Sequence, residues 1–427
     1  MSGSRLTTMI FIGMLLGIAV GYLCSITWPD PQTAKEISGY IALISDVFLR
    51  LIKMIIAPLV FSTLVVGIAH MGDTASVGRV GGKALLWFVG ASFCSLMLGL
   101  ILVNLLQPGH NLNLPLPDVG AGTGLKAASL SLKEFVTHLV PKSAVEAMAN
   151  NEILQIVVFS IFFGVGLAAI GEKGHALAEG VEQLAEVMLK VTGYVMMFAP
   201  VAVFAAIAAT ITTQGIGVLV TYGKFLVEFY LSLGVLWCAL ALAGFLLLGG
   251  PSLMRLLNLI KEPFVLAFST ASSEAAYPKT LSNLEKFGVP NRITSFVLPM
   301  GYSFNLDGSM MYCTFAVMFI AQAYNIPLSW GQQLTMLFLL MVTSKGMAGV
   351  PRASLVVISA TLSQFNIPEA GLLLIIGIDQ FLDMGRSATN VLGNSVATVA
   401  VAKWEGQLTT TDQSLDRDAS PVPSPAE

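Results

Sequence analysis

Charged and amide side chains interrupt an otherwise apolar segment near the C-terminus. From Gly371 to Val401 the chain consists mostly of Leu, Ile, Val, Ala and Gly. Spacings of three and four residues place its polar members on one helical face: Asp379, Asp383, Arg386, Ser387, Asn390 and Asn394. A charge in the hydrocarbon region of a membrane is costly and usually marks a substrate or ion pathway. The stripe therefore predicts a binding site inside a membrane transporter.

Two further apolar blocks are interrupted near their centres. The block Phe264–Leu284 is broken around Ser272, Ser273 and Glu274, and the block Leu334–Leu362 around a segment that holds Lys345, Val350, Pro351 and Arg352. Irregular backbone at membrane depth is tolerated only where protein or a water-filled cavity satisfies its hydrogen bonds. Paired interruptions indicate a transporter binding site, and helix N-termini there would attract a carboxylate. We expect two re-entrant helical hairpins, although an ordinary surface loop would explain either segment alone.

The segment Gly301–Ser309 places oxygen-bearing side chains inside another apolar run. Asn305, Asp307 and Gly308 would unwind a helix locally and free backbone carbonyls. Carboxylate, amide and carbonyl oxygens are the ligands that a hard cation such as Na⁺ prefers, and a carboxylate can hold a proton instead. A purely structural cap is the weaker explanation of Asp307, because a buried carboxylate without a cationic partner is costly.

The composition indicates a polytopic helical membrane protein. Of 427 residues, 55% are hydrophobic and only 11% charged, with a mean hydropathy of +0.79, whereas soluble proteins carry about 25% charged residues. The net charge of −3 does not indicate a nucleic-acid partner. The scattered cysteines and histidines indicate neither disulfides nor a metal site. An enzyme is disfavoured, because no histidine lies in the polar motifs to act as a base.

The apolar blocks predict an all-α membrane protein with eight transmembrane helices and the two hairpins. The eight blocks are Met9–Ile26, Ile37–Ala69, Ala84–Leu106, Leu154–Ile170, Val187–Ile211, Phe225–Leu248, Ile293–Ala323 and Ala370–Val401. Basic residues predict cytoplasmic loops and hence two cytoplasmic termini; they are Arg79, Lys83, Arg255, Lys261, Lys286 and Arg292. Residues 405–427 are polar and are expected to form a disordered cytoplasmic tail.

One face of the second block carries Asp46, Arg50 and Lys53. Asp46 and Arg50 have the spacing of an intrahelical ion pair. A lysine near a membrane surface can extend its ammonium group to the interface. We expect these structural roles here rather than a role in transport.

Four motifs in the observed order resemble those of one transporter family. They are Ser272-Ser273-Glu274, Asn305–Gly308, Ala348–Pro351 and Asp383–Asn390. The chain resembles the dicarboxylate/amino acid:cation symporters, the glutamate transporters, and especially their bacterial proton-coupled glutamate/aspartate members. The resemblance implies a homotrimer in the bacterial inner membrane with an elevator-type fold. Residues 1–404 would then be one transporter unit, with a scaffold mainly at 7–70 and 150–215 and a transport domain mainly at 82–107 and 222–404.

The resemblance also implies roles for individual residues. Arg386 would pair with the side-chain carboxylate of a substrate, and Asp383 would receive its α-ammonium group. The other residues expected to bind substrate are Ser272, Ser273, Ser309, Val350, Pro351, Ser387 and Asn390. Those expected to take part in cation or proton coupling are Glu274, Gly301, Asn305, Asp307, Asn390, Asn394 and Lys345. Arg352 is the expected gate residue, which would either pair with Glu274 or point into external water.

The pair formed by Asp383 and Arg386 predicts the substrate. Within this family, an acid at the first position suits a substrate that carries an ammonium group, and the arginine suits a side-chain carboxylate. The expected substrates are therefore L-glutamate and L-aspartate. A C4-dicarboxylate symporter, for succinate, fumarate or malate, is the alternative.

Departures from the family pattern predict the coupling ion. Asn394 stands where sodium-driven members have an aspartate, and Phe88 and Ala91 stand where they have a tyrosine and a threonine. Cys313 replaces a glutamate or glutamine of some members, which leaves Glu274 and the aspartates as proton carriers. The chain is therefore expected to use a proton gradient, with Na⁺ as the alternative ion and no cofactor.

Overall fold

The computed structural model describes residues 3–69, 74–110, 137, 140–214, 222–344, 353–376 and 378–409. The described ranges contain no β-strand, so the predicted all-α class is confirmed. Their helices are α1 (Gly3–Thr27), α2 (Pro31–Ala69), α3 (Thr74–Leu106), α4 (Ala144–Ala149), α5 (Ile153–Ala169), α6 (His175–Met196), α7 (Ala199–Gln214), α8 (Gly223–Leu248), α9 (Gly250–Thr270), α10 (Ser273–Phe287), α11 (Asn291–Phe304), α12 (Asp307–Ala323), α13 (Trp330–Thr343), α14 (Ala353–Gln364), α15 (Leu373–Ile376) and α16 (Asp379–Trp404).

Several of these helices have the length and composition of membrane spans. Within the described ranges, α1, α2, α3, α8 and the α11–α12 pair qualify, and α6 with α7 qualifies as a sixth span that is bent by 53°. The bend divides the block expected at Val187–Ile211 between two helices. A count of eight would also need the 17-residue α5 and the polar-striped α16. The eight-span topology therefore stays a prediction.

The helices pack in two groups. In the first, α2 packs against α5, α6 and α7, and α1 lies along α7. In the second, α16 is surrounded by α8, α9, α10, α11 and α12, while α3 packs against α12. Close approach of α1 to α7 depends on Gly13, Gly17 and Gly21, where a Cβ atom would collide with the α7 backbone. The two groups meet where α2 contacts α10 and α11, where α5 contacts α11, and where α9 contacts α1 and α7.

The first interrupted block folds as two helices joined by a tight turn. Ala271 adopts the left-handed conformation (φ 49°) and ends α9. The Ser272 hydroxyl then accepts a hydrogen bond from the Ala275 amide and caps α10. Because α9 and α10 also pack against each other, the predicted interruption is a helical hairpin with its tip at residues 271–272.

The expected break in the block Ile293–Ala323 is confirmed. Helix α11 ends at Phe304, two residues leave the helical conformation, and α12 begins at Asp307. The Asn305 amide still donates to the Gly301 carbonyl, which closes the last turn of α11. The break exposes the first amides of α12 to the polar stripe of α16, against which α12 packs.

The C-terminal third differs from the sequence prediction in one place. The block Ala370–Val401 is not one helix: a 3₁₀ turn and the short α15 precede α16, which begins at Asp379. The polar stripe therefore lies entirely on α16. In the second interrupted block, α13 and α14 pack against each other, and the segment between them lies outside the described residues.

The basic residues that predicted cytoplasmic loops lie within helices rather than between them, which corrects that placement. Two of them, Arg79 and Lys83 of α3, form ion pairs with Glu405 at 3.0 and 2.7 Å. Desolvation opposes the charge of Glu405, but hydrogen bonds from Lys83 and Arg79 outweigh it and lower its pKa. Residues 405–409 thus pack along the helix ends, where the Thr409 amide also donates to the Gly288 carbonyl.

Candidate functional site

A cavity of about 650 Å³ opens between the two helix groups. Helices α2 and α7 form one wall, and the α9–α10 tip with α16 forms the other. Its charged and predicted substrate-binding residues are Asp46, Lys53, Ser272, Ser273, Glu274, Ser309, Asp383, Arg386, Ser387 and Asn390. The fold therefore gathers every described residue that was expected to bind substrate. Four of the predicted site residues lie outside the described residues: Lys345, Val350, Pro351 and Arg352.

Arg386 is the best-anchored charge of the cavity. It is 3% exposed, and its Nη2 atom lies 2.9 Å from Asp383 Oδ1. Nη1 lies 3.5 Å from Asp379 Oδ1, and the guanidinium sits 4.2 Å from the ring centre of Tyr312. Nη1 has no hydrogen-bond partner among the described residues. A fixed guanidinium with a spare donor is suited to a ligand carboxylate.

Asp379, at the start of α16, contacts this arginine and does not face the cavity. Its Oδ1 atom accepts a hydrogen bond of 3.0 Å from the Tyr312 hydroxyl, in addition to the ion pair with Arg386. Asp379 is only 4% exposed and does not line the cavity. Tyr312 was missed by the sequence argument, because an aromatic residue on an apolar helix gives no polar signal.

Asp383 faces the cavity. Its side chain is 33% exposed, in contrast to its buried neighbours on α16. Besides Arg386, it accepts a hydrogen bond of 3.3 Å from the Ser387 hydroxyl. The rest of the carboxylate is open to the cavity and can accept an ammonium group.

Asn390 joins the cavity to the break between α11 and α12. Its Oδ1 atom accepts from the Gly308 amide at 2.9 Å, and its Nδ2 atom donates to Ser309 Oγ at 3.3 Å. The side chain thus covers the first turn of α12 and fixes it to α16. Asn390 was predicted to serve both substrate binding and cation coupling, and it lies next to residues of both predicted groups.

A second polar cluster lies at the break between α11 and α12 and is buried inside the protein. Asn305 Nδ2 donates to Asp307 Oδ2 and to Asn394 Oδ1, both at 3.1 Å, and Ser95 of α3 donates to Asp307 Oδ1 at 3.2 Å. Asn305, Asp307 and Asn394 are at most 1% exposed. Any side chain at Gly301 would collide with Asn394. The candidates for cation coupling on α11, α12 and α16 therefore form one group.

This buried cluster keeps some unused polar atoms. Asn305 Oδ1 and Asn394 Nδ2 are buried and have no hydrogen-bond partner among the described residues. Oxygen atoms of this kind suit a small cation, and the Asp307 carboxylate suits either a cation or a proton. Ser95 was also missed, although its spacing of three from Ser92 on an apolar helix was a signal.

Two residues of α2 reach the cavity, contrary to expectation. Asp46 and Lys53 line its wall, whereas Arg50 does not. Among the described residues, Asp46 forms no ion pair with Arg50, so the intrahelical pair expected from their spacing is wrong. Lys53 and Arg386 are the two cations that line the cavity in the described part of the chain.

Comparison with known proteins defines the class of this fold and site. Residues 6–404 match the model of the sodium:dicarboxylate symporter family, and the chain belongs to that family. The predicted resemblance is thereby confirmed, and the protein is a membrane transporter and not an enzyme.

Individual relatives carry two kinds of name. The chain is 43% identical to the proton/sodium-glutamate symport proteins of Bacillus caldotenax and Geobacillus stearothermophilus, over 93% of this chain and 94% of theirs. It is 38% identical to the C4-dicarboxylate transport protein of Bacillus subtilis, over 95% of this chain and 94% of that protein.

Proposed function

We propose that the protein imports L-glutamate and L-aspartate by symport with protons. The observation that carries the substrate assignment is the pair at the cavity, where Asp383 keeps an exposed carboxylate beside the buried guanidinium of Arg386. An acidic amino acid offers one group for each, since its side-chain carboxylate matches the arginine and its ammonium matches the aspartate.

The α-carboxylate would be held by the hairpin tip, which shares one wall of the cavity with α16. The hydroxyls of Ser272 and Ser273 lie at the tip of the first hairpin, where α10 presents its N-terminus. Ser309, Ser387 and Asn390 supply further polar contacts. Val350 and Pro351 would close the site from the second hairpin, with Arg352 as its gate.

Among the described residues, the buried cluster supplies a single carboxylate, Asp307, which already accepts hydrogen bonds from Ser95 and Asn305 and so offers little charge to Na⁺. A proton is therefore the proposed coupling ion. Asn394 brings an amide where an acid would add charge for Na⁺. Phe88 is buried and has no oxygen to offer. Lys345 would act as a tethered cation near a lost sodium site.

The same proposal includes elevator-type alternating access in a homotrimer. Residues 82–107 and 222–404 would move as the transport domain against a scaffold of residues 7–70 and 150–215. The packing of the helices into two groups, with the cavity between them, supports this division. Both termini would lie in the cytoplasm of a bacterial cell, with the protein in its inner membrane.

The names of the relatives favour two alternative functions. A C4-dicarboxylate symporter would use Arg386 alone and leave Asp383 without a ligand partner. A sodium-coupled glutamate symporter would use the same cavity and place Na⁺ in the buried cluster.

Uptake into proteoliposomes separates these candidates. Labelled L-glutamate, L-aspartate and succinate are each offered under an imposed proton gradient and, separately, an imposed sodium gradient. We expect accumulation of the two amino acids under the proton gradient. Accumulation that occurs only with a sodium gradient would refute the proton as the coupling ion. Preference for succinate would refute the role of Asp383 in binding the substrate ammonium group.

A further inference from the structure

The carboxylates in and below the cavity differ in what their oxygen atoms already bind. Asp307 accepts hydrogen bonds from Ser95 and Asn305. Asp379 and Asp383 share the guanidinium of Arg386. Protonation of any of the three would weaken contacts that fix the site. Two acids line the cavity wall formed by the α9–α10 tip and α16, namely Glu274 and Asp383. Of these, Glu274 has no hydrogen bond or ion pair with any described residue.

We propose that Glu274 is the residue that carries the coupled proton. This inference rests on the proposed proton-driven symport and names the group that performs it. Glu274 is the second residue of α10, directly after the hairpin tip. It would therefore travel with the substrate-binding residues of the transport domain.

Glu274 lies at the boundary between two environments. On one side it lines the open 650 Å³ cavity, where water can deliver a proton. On the other side it lines a narrow crevice formed mainly by apolar residues: Ile56, Val60, Ile153, Tyr277, Pro299 and Tyr302. A carboxylate is stable in the first environment, whereas a neutral carboxyl group is tolerated against the second, which has no room for water.

The crevice contains two hydroxyl groups that suit a protonated carboxyl. The Tyr277 and Tyr302 hydroxyls are buried, and neither has a hydrogen bond of good geometry among the described residues. Their nearest polar neighbours are Thr63 for Tyr277 and Thr280 for Tyr302, but neither threonine is aligned for a hydrogen bond with the tyrosine hydroxyl. The two rings pack edge to face with centroids 5.4 Å apart. Both tyrosines line the crevice together with Glu274, and an O–H is the type of donor that the carbonyl oxygen of a neutral carboxyl group accepts.

Charged groups around Glu274 come from two other helices. Helix α2 contributes Lys53 and Asp46, and α16 contributes Asp383 and Arg386, all on the cavity side. Among the described residues that line the crevice, the two tyrosines are the other titratable groups. Lys53 favours the ionised carboxylate while the hairpin tip faces the cavity. Movement of the tip away from α2 would remove that influence.

The step is a simple proton transfer. Hydronium in the cavity gives its proton to a carboxylate oxygen of Glu274, which leaves water and a neutral carboxyl group. The neutral side chain crosses with the substrate, and water on the other side takes the proton back. Neutralisation is needed because an unpaired carboxylate is costly to move through a low-dielectric region.

The test uses the full-length protein with Glu274→Gln, which mimics the permanently protonated side chain. In proteoliposomes with an imposed proton gradient, we expect this variant to lose accumulation of labelled L-glutamate. Exchange of external labelled L-glutamate for internal unlabelled L-glutamate needs no net proton movement, so it should continue. Its rate should depend less on pH than that of the wild type.

Two matched variants complete the design. Glu285→Gln alters a carboxylate on the same helix that lies outside the cavity and whose bond to Asn291 a glutamine can keep; it should accumulate substrate normally. Glu274→Asp keeps a carboxyl group and should restore proton-driven accumulation. If Glu274→Asp behaves like Glu274→Gln, the assignment is overturned.

The outcomes separate this inference from the proposed function. If the wild type does not respond to the proton gradient, the proposed coupling itself is wrong. If the wild type responds and Glu274→Gln still accumulates substrate, only the assignment to Glu274 is overturned. Loss of exchange together with accumulation would also overturn it, because Glu274 would then be required for more than the proton.

Discussion

The two ends of the polar stripe on α16 lie in different environments. At the N-terminal end, Asp383 and Arg386 face an open cavity, and charges remain available to a ligand. Two to three turns further on, Asn394 is enclosed with Asn305 and Asp307, and Asn305 bridges the other two through its side-chain amide. One helix therefore lines both an open cavity and an enclosed polar cluster.

The difference predicts different failures for the two regions. Changes in the cavity should alter which substrate binds and how tightly. Changes in the buried cluster should alter stability while substrate selectivity is kept. Asn390, which is bonded to both Gly308 and Ser309, belongs to both regions and should show both effects.

Arg386→Ala should have the largest effect. It removes the cation shared by Asp379 and Asp383, and loss of one partner of a buried pair costs about 3 kcal/mol or more. We expect binding of L-glutamate, measured by calorimetry on purified protein, to weaken by roughly 150-fold or more.

Arg386→Lys is the informative companion to that variant. Lysine keeps the charge but cannot reproduce two parallel N–H donors or the contact with Tyr312. Its affinity should fall between those of the alanine variant and the wild type. Wild-type affinity in the alanine variant would contradict the assignment of Arg386 to the substrate carboxylate.

Asp383→Asn should change selectivity within the cavity. Loss of a charged hydrogen bond to the substrate ammonium costs about 1.5–3 kcal/mol, or roughly 10- to 150-fold in the affinity for L-glutamate. Succinate, which has no ammonium group, should bind as well as before or better. Competition assays with the two labelled substrates measure the ratio.

The matched control for that change is Asp379→Asn. Asp379 is buried behind Arg386 and bonded to Tyr312, so it orients the guanidinium without facing the cavity. Its substitution should weaken both substrates to a similar degree. Equal loss for both substrates in Asp383→Asn would remove the distinction between the two aspartates.

Asp307→Asn probes the buried cluster. The amide can accept only on one atom, so it cannot serve both Ser95 and Asn305 as the carboxylate does. An unsatisfied buried partner costs about 1–3 kcal/mol, which should lower the midpoint of thermal unfolding in detergent. The ratio of glutamate to succinate binding should not change.

Ser95→Ala isolates one of these bonds. It removes a single hydroxyl and should destabilise the protein by about 1 kcal/mol, less than Asp307→Asn. If Ser95→Ala changed substrate selectivity instead of stability, the separation between cavity and buried cluster would be wrong.

The sequence predicted the members of both regions on α16 but not which of them are exposed to the cavity. Helical periodicity places Asp383, Arg386, Asn390 and Asn394 on one face, and the polar interruptions mark the hairpin tip and the break before Asp307. Periodicity cannot say which turn of that face meets water. Exposure depends on α2 and α7, which form the far wall of the cavity.

Partners without a polar signal were also beyond the sequence argument. Tyr312 acts through the face of its ring and one hydroxyl, and it lies on a helix that is otherwise apolar. For Asp46, spacing predicted an ion pair with Arg50 on the same helix, and Lys53 was expected to extend its ammonium group to the membrane interface. Tertiary packing prevailed, because α2 turns the first and last of these side chains toward the other helix group.

Lys53→Gln should give the smallest effect and tests the electrostatics of the cavity wall. Lys53 is exposed and lines the cavity without an ion pair among the described residues. An exposed charge contributes about 0.2–1 kcal/mol, so we expect the KM for L-glutamate to rise by only about two- to fivefold at low ionic strength. Near 0.15 M salt, where the Debye length is about 8 Å, most of the difference should disappear.

Arg50→Gln is the matched control for this last variant. Arg50 carries the same charge, lies three residues earlier on the same helix and is also exposed, but it does not line the cavity. Its KM should stay at the wild-type value at every salt concentration, because its charge is directed away from the substrate path. An equal, salt-dependent rise in both variants would mean that the net charge of α2, rather than the position of Lys53 in the cavity, attracts the substrate.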